Sequence, residues 1–247
     1  LVVCGVCPAC RMGRENICPH RQVISMPPRP GAFAQYVAMP DANLVTVPDN
    51  VPLAKAALAE PLAVSWHSVR LGLDALHPEM DRCALVIGGG AIGVAAALAL
   101  QAAGWSDITL AEPNPGRAAY LEKQCGFNVV PAASGAYALV IDAVGYAKTR
   151  EIASARIAPG GVIVHIGLGE DLGGLDVRRM TLQEITFIGT YTYTAEDFRQ
   201  TAQAIFDGRL GALDWTETRA LTDGAGAFAD LLRGAVAAPK ILLRPWP

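Results

Sequence analysis

The sequence predicts an α/β protein whose body is a doubly wound parallel sheet and whose opening residues form a separate cysteine lobe. Three observations lead there. From Cys83 onward, short apolar runs alternate with segments of helical length, the pattern of buried parallel strands joined by covering helices. The first run leads at once into a glycine turn, Gly88-Gly89-Gly90-Ala91-Ile92-Gly93. Four of the six cysteines fall within the first eighteen residues.

Composition sets the outer limits. A chain of 247 residues accommodates one large domain or two modest ones. Apolar residues make up 52% and charged ones 17%, enough burial to offset the ordering entropy and exclude intrinsic disorder. Twenty Lys and Arg against 23 Asp and Glu give a formal charge of −3, so neither nucleic acid nor an acidic membrane face is an expected partner. The apolar run Ala84–Leu100 is shorter than the roughly 20 residues of a membrane span. Its three consecutive glycines suit strand, turn and buried helix instead. No basic segment with a small-residue cleavage site opens the chain, which fits a cytoplasmic setting. Leu1-Val2-Val3 reads as the end of a strand, so further residues are expected to precede it.

The lobe comes first in chain order. Cys4, Cys7, Cys10 and Cys18 are spaced C-x2-C-x2-C-x7-C. Four thiolates this close can surround one Zn²⁺ with little loop-closure cost. They leave no open position, so such a zinc holds structure. Arg11 and Arg14 lie where they can offset the charge of the site. An iron–sulfur cluster is the rival, because Cys18-Pro19 resembles part of a cluster-binding run. Disulfides are disfavoured by the two solitary cysteines and the missing export signal. Cys83 and Cys125 sit in apolar contexts and read as small core residues.

The sheet follows. Strands are expected at Ala84–Ile87, Ile108–Ala111, Ala138–Asp142, Val162–Ile166 and Thr186–Gly189. Ala91–Ala103 has helical length with Gly104 as its left-handed cap. Pro115 opens a helix that Gly126 can end, and Lys148–Arg156 is helical. Thr194 with Asp197 is a capping pair for a helix through Ile205, and Lys240–Leu243 is a closing strand.

The glycine turn carries the chemistry. Gly88 permits the tight bend, Gly90 lets main-chain N–H groups approach a pyrophosphate, and Gly93 lets helix and strand pack closely. Ala91 and Ile92 open the helix, whose N-terminus favours anionic phosphates. Glu112, at the end of the second strand, can accept hydrogen bonds from an adenosine ribose and repels a 2′-phosphate, favouring NAD over NADP. Arg117 is close enough to tolerate extra negative charge. Two further strand ends, at Val144-Gly145 and Ile166-Gly167-Leu168, lie on the ligand side and are candidates for the nicotinamide half. His165, inside an apolar strand, reads as a satisfied core histidine.

The combination of CGVCPACRMGRENIC, GAFAQYVAMPDANLVTVPDNV, AEPLAVSWH, VIGGGAIG and KILLRP resembles the zinc-dependent medium-chain alcohol dehydrogenase family over essentially the whole chain. That resemblance implies a GroES-like β-barrel catalytic domain and a Rossmann domain flanking a cleft. A catalytic zinc there would bind an alcohol while NAD takes the hydride. It divides the chain into a catalytic-domain remnant with the structural-zinc lobe at 1–57, the Rossmann domain at 58–192, and a return to the catalytic domain at 193–247. The polyol and threonine dehydrogenase branch has a pattern similar to Ala59-Glu60-Pro61-Leu62. It implies that Glu60 is a catalytic residue and a zinc ligand, direct or through water. From the residues alone, Pro61 suits a first helical position and biases Glu60 toward an extended, capping conformation. The family's other catalytic ligands, a cysteine and a histidine–glutamate pair, would lie upstream of Leu1. Cys83, Cys125, His20, His67 and His77 do not match them. A polyol, sugar or threonine-like alcohol is the implied substrate. A homodimer or homotetramer, paired along the Ile185–Gly189 edge, is the implied assembly. Alternatives are a non-catalytic dinucleotide-binding protein on the same scaffold and a zinc-less NADPH reductase.

Overall fold

The computed structural model describes residues 1–246. A short helix α1 (Pro8–Arg11) lies in the cysteine lobe, and α2 (Leu53–Ala56) leads into α3 (Ala59–Ala75). There follow β1 (Cys83–Ile87), α4 (Ala91–Ala102), β2 (Asp107–Ala111), α5 (Pro115–Cys125) and β3 (Asn128–Val130). The second half of the sheet comprises β4 (Tyr137–Asp142), α6 (Ala147–Arg156), β5 (Ile157–His165), α7 (Val177–Leu182) and β6 (Thr186–Gly189). The chain closes with α8 (Ala195–Phe206), β7 (Thr216–Ala220), α9 (Gly224–Leu232) and β8 (Lys240–Arg244).

Six strands form one sheet in the order β3-β2-β1-β4-β5-β6, every pair parallel. The order reverses between β1 and β4. Ile87 is in register with Ala111 on one side and Asp142 on the other, so three carboxyl ends finish level. The crevice beyond such a reversal is where open parallel sheets bind ligands. All six residues of β4 are buried, as expected for a central strand covered on both faces.

Helix α4 is apolar all round because it lies between the sheet and α3, with Val94 to Leu100 buried. Its alanines let α3 come close, and Ser65 of α3 donates to the Ile92 carbonyl at 2.8 Å. Gly72 brings α3 onto β5, since a Cβ there would lie 2.8 Å from a Val164 methyl. Helix α5 starts on Asn114, whose side chain accepts the Arg117 N–H, and ends at Gly126 with φ +67°. Thr194 and Asp197 form a reciprocal capping box on α8.

Four features differ from expectation. Pro61 is the third residue of α3, not the first, and Glu60 is helical within the first turn. Leu62 N–H bonds to the Leu58 carbonyl, so Pro61 occupies a position whose N–H would have no intrahelical partner, and the helix starts two residues early at no hydrogen-bond cost. Strand β5 begins at Ile157, pairing with Tyr137 before a register shift. Among described residues 1–57, the only β pairing is an isolated bridge between Val2 and Gln22. Residues 31–40 form no ladder, and bends at Ala32, Ala34 and Gln35 interrupt them. Finally, β8 pairs in parallel with β7 through the α9 crossover, over a small core of Ala227, Val236, Ala238 and Ile241.

This closing unit meets the opening residues through two edge-to-face aromatic pairs. Phe33 packs on Phe228 and Tyr36 on Trp246, each with ring centres 5.7 Å apart. The segment around residues 33–36 is thereby in contact with the closing unit. Among the described residues, no helix is long and apolar enough to cross a membrane.

Candidate functional site

At the crevice the chain leaves a cleft of about 960 Å³, lined by Gly88–Gly90, Glu112, Arg117, Val144, Lys148, Thr149 and Arg156 among others. The glycines divide the work. Gly88 has φ +100°, and a Cβ on it would strike the Val144 side chain at 2.4 Å. A Cβ on Gly93 would stand 1.8 Å from the Gly88 carbonyl oxygen, so the helix can pack here only with glycine. A Cβ on Gly90 would meet nothing within 4 Å. The open space at Gly90 faces the cleft at the start of α4, a place where a phosphate can approach the main chain.

Glu112 is 6% exposed. Its Oε2 accepts the Gly89 N–H at 2.9 Å and its Oε1 the Asn114 N–H at 2.7 Å. These bonds fix the carboxylate under the glycine turn and leave lone pairs for hydroxyl donors from the cleft. Arg117 approaches to 4.0 Å. One of its terminal nitrogens donates to the Val236 carbonyl, while its Nε is buried without a partner.

Of the expected dinucleotide residues, Gly88, Gly90, Glu112, Arg117 and Val144 line the cleft. Ala91, Ile92 and Gly93 form the helix start behind it. Gly145, Ile166, Gly167 and Leu168 lie outside that lining, in two loops packed backbone to backbone; a Cβ on Gly145 would fall 2.2 Å from Gly167. Several amides there are already engaged. Val144 and Gly145 donate to Asp142 Oδ1, and Ile166 and Gly167 to the Asp142 carbonyl.

Two residues behind this arrangement escape a sequence reading. Asp142 is fully buried. Burial raises its pKa, but His165, the Gly145 and Val144 amides and Thr149 together outweigh it and hold the carboxyl below the usual range. Its signal, a carboxylate closing an all-apolar strand, is visible in hindsight. His165, only partly buried, stands 3.2 Å from that carboxylate and packs against Phe187 in a tilted pair. Arg150, buried on α6, donates to the carbonyls of Gly145, Glu170, Leu172 and Gly173 and so clamps the loop after β5. No local pattern marks it.

The cysteine lobe is compact. Gly5 at φ +75° turns the chain, Cys7 precedes α1, and Pro8 starts it, placing Cys10 one turn on. The sulfur separations are 3.5 Å for Cys7–Cys10, 3.6 Å for Cys4–Cys18, 3.8 Å for Cys7–Cys18 and 3.9 Å for Cys4–Cys10. Tetrahedral zinc with bonds of about 2.3 Å requires sulfurs about 3.8 Å apart. The four sulfurs therefore fit a single zinc. Amides of Val6 and Cys7 lower the Cys4 pKa to about 6, whereas burial and then the Cys7 contact push Cys10 up to about 12. Arg11 donates to the Val6 carbonyl within the lobe. Among the described residues, these cysteines are the only group of three or more side chains poised to hold a metal. Cys83 and Cys125 pack at the margins of the core, and burial raises Cys125 to about 11.

Glu60 is exposed on the first turn of α3. Burial, and then the nearby charge of Glu60, raise the pKa of Tyr193. Deeper between α3 and α8, His67 Nδ1 lies 2.7 Å from Asp197 Oδ2, and Arg70 donates to both Asp197 oxygens.

A switch-point cleft over a glycine turn, joined to a lobe of four thiols spaced as a tetrahedral metal requires, defines a dinucleotide-type fold with a compact cysteine lobe. Comparisons narrow that class. A model described as "Zinc-binding dehydrogenase" matches residues 91–207, and one described as "Alcohol dehydrogenase GroES-like domain" matches residues 1–49. The chain belongs to the zinc-type medium-chain alcohol dehydrogenase family. It is 31% identical to a probable diacetyl reductase of Saccharomyces cerevisiae, over 93% of this chain and 58% of that protein. Identity to the L-galactonate-5-dehydrogenase of Escherichia coli is 30%, over 85% of this chain and 64% of the relative. An L-threonine 3-dehydrogenase of Chelativorans is 38% identical over 49% of this chain and 34% of its own length. The chain thus spans less than two thirds of these relatives. In fold it is similar to an alcohol dehydrogenase from Thermus, with TM-score 0.84 and 20% identity, covering 98% of this chain and 77% of that one.

Proposed function

We propose that the chain binds NAD in the switch-point cleft and a structural zinc in the cysteine lobe. It would serve an NAD-dependent zinc alcohol dehydrogenase acting on a polyol, sugar or threonine-like alcohol. The observation that carries the reading is the pairing of an open Gly90 with a carboxylate, Glu112, fixed beneath the turn. Main-chain amides from Gly88 onward would cradle the pyrophosphate, and Glu112 would accept the adenosine ribose hydroxyls. Val144, Gly145 and Ile166–Leu168 would flank the nicotinamide half. The dinucleotide, when bound, supplies the hydride acceptor. The relatives named as butanediol, threonine and galactonate dehydrogenases support the substrate class. Glu60 is the proposed carboxylate of a catalytic metal site. The described residues place no further pair of metal-holding side chains beside it, and no proton or hydride step is assigned to it. A cytoplasmic homodimer or homotetramer is the proposed form.

Calorimetric titration with NAD and NADP tests this reading. NAD is expected to bind more tightly. Gly90→Val should keep its unfolding free energy within about 0.5 kcal/mol while weakening NAD by about tenfold or more through lost phosphate approach. Tighter NADP binding, or normal NAD binding by the variant, would overturn the assignment.

A further inference from the structure

Residues 190–194 join the sheet to α8 and hold a shape their own sequence does not explain. Thr192 has φ +48°, a left-handed conformation uncommon for a β-branched residue, and its hydroxyl is buried without a partner. Such geometry persists where surroundings impose it. The surroundings here are the cysteine lobe. Asn16, 2% exposed, donates its Nδ2 to the Tyr191 carbonyl at 2.7 Å. Glu15 accepts the N–H of Ala195, the first residue of α8, at 2.6 Å. The Arg21 guanidinium lies 4.8 Å from the Tyr191 ring centre. Glu15 and Asn16 stand in the loop between Cys10 and Cys18, so the thiolates that close that loop also decide where these two side chains sit. Tyr193 stacks on Phe198, with ring centres 5.5 Å apart, and Glu60 lies near enough for its charge to raise the Tyr193 pKa.

We propose that the metal-filled lobe is a positioning device for the 190–194 segment: through Glu15 and Asn16 it holds the turn that sets Tyr193 beside Glu60. Glu15 and Asn16 are positioning residues, and loss of zinc releases the segment without dissolving the sheet. The inference rests on the four-thiolate reading of the lobe.

Hydrogen exchange on the full chain tests it, with zinc stoichiometry measured on every sample. Chelation is expected to speed exchange across 190–197 by about tenfold or more, the loss expected when a charge-assisted bond opens, while α4 stays protected. Glu15→Ala and Asn16→Ala should retain one zinc per chain and show the same local acceleration. A segment that stays protected after zinc has left overturns the proposal. If chelation unfolds the whole chain, the zinc-retaining variants decide, and unchanged protection at 190–197 in both overturns it. Metal analysis finding no zinc in the wild type would sink the four-thiolate reading itself, and the metal dependence with it.

Discussion

A methyl group on Gly93 would collide with the Gly88 carbonyl, whereas one on Gly90 would project into open cleft, so two glycines of one motif have separable consequences. Gly93→Ala is expected to destabilise the fold by about 2 kcal/mol through overpacking, measured by urea unfolding, in contrast to the stable but binding-deficient Gly90 variant. Charge at single residues makes a second prediction. Burial raises the Asp197 pKa, yet His67, Arg70 and Thr194 more than compensate and leave it far below the usual carboxylate range. Because the folded value is depressed, the stabilisation is fully present above the unfolded value of about 4. It is lost as pH falls through the folded value. Asp197→Asn should therefore start about 3 kcal/mol less stable near neutrality and lose less stability between pH 5 and pH 2 than the wild type. Equal acid slopes in the two proteins would sink this account. The clustering of the four cysteines and the tight packing at Gly88 and Gly93 follow from residue type and spacing and were legible from the chain. Asp142, Arg150 and Asn16 were not, because each acts on main-chain groups brought near only by folding.

Elements show the same division between local signal and tertiary context. Strands β1, β2, β4 and β6 are apolar runs, and α5 and α8 carry their caps in the sequence, so their limits were readable to within a residue or two. Strand β3 has three residues and lies at an edge, and β7 (TETRA) is polar and half exposed, so neither presents the apolar run of a buried strand. The early start of α3 was hidden because proline biases its predecessor away from helix, yet α2 and the Leu58 carbonyl draw the first turn closed. The loop after β5 is the element with the clearest dependence on one side chain. Leu168 and Leu172 are exposed on it, and four of its neighbouring carbonyls share the Arg150 guanidinium. Arg150→Met should cost about 1–2 kcal/mol by leaving the buried Gly145 carbonyl without its donor and releasing the loop carbonyls to water. Exchange at 167–174 should rise well above that at β4. If that loop remained as protected as in the wild type, the clamp would have no basis.

At the scale of the whole molecule, the sheet ends differently on its two sides. Strand β3 is short and lies beside α5, whereas β6 presents Thr186-Phe187-Ile188-Gly189 as an outer strand with no charge and no proline. Natural edges are usually blunted by those devices because an open row of N–H and C=O groups templates further pairing. Phe187 is 36% exposed and lies against His165 rather than under another element. A two-fold axis beside β6 would set two copies of the strand antiparallel and bury both aromatic rings in one self-complementary contact, continuing the sheet across the pair. This supports the proposed dimer or tetramer and gives it a physical test. Light scattering after size exclusion should return a mass of two or four chains for the wild type. Phe187→Lys, which restores a charge to the edge, should shift the mass to one chain while leaving NAD affinity unchanged, since residue 187 does not line the cleft. A wild-type mass of one chain, or an unaltered assembly in the variant, would show that this edge is not where copies meet.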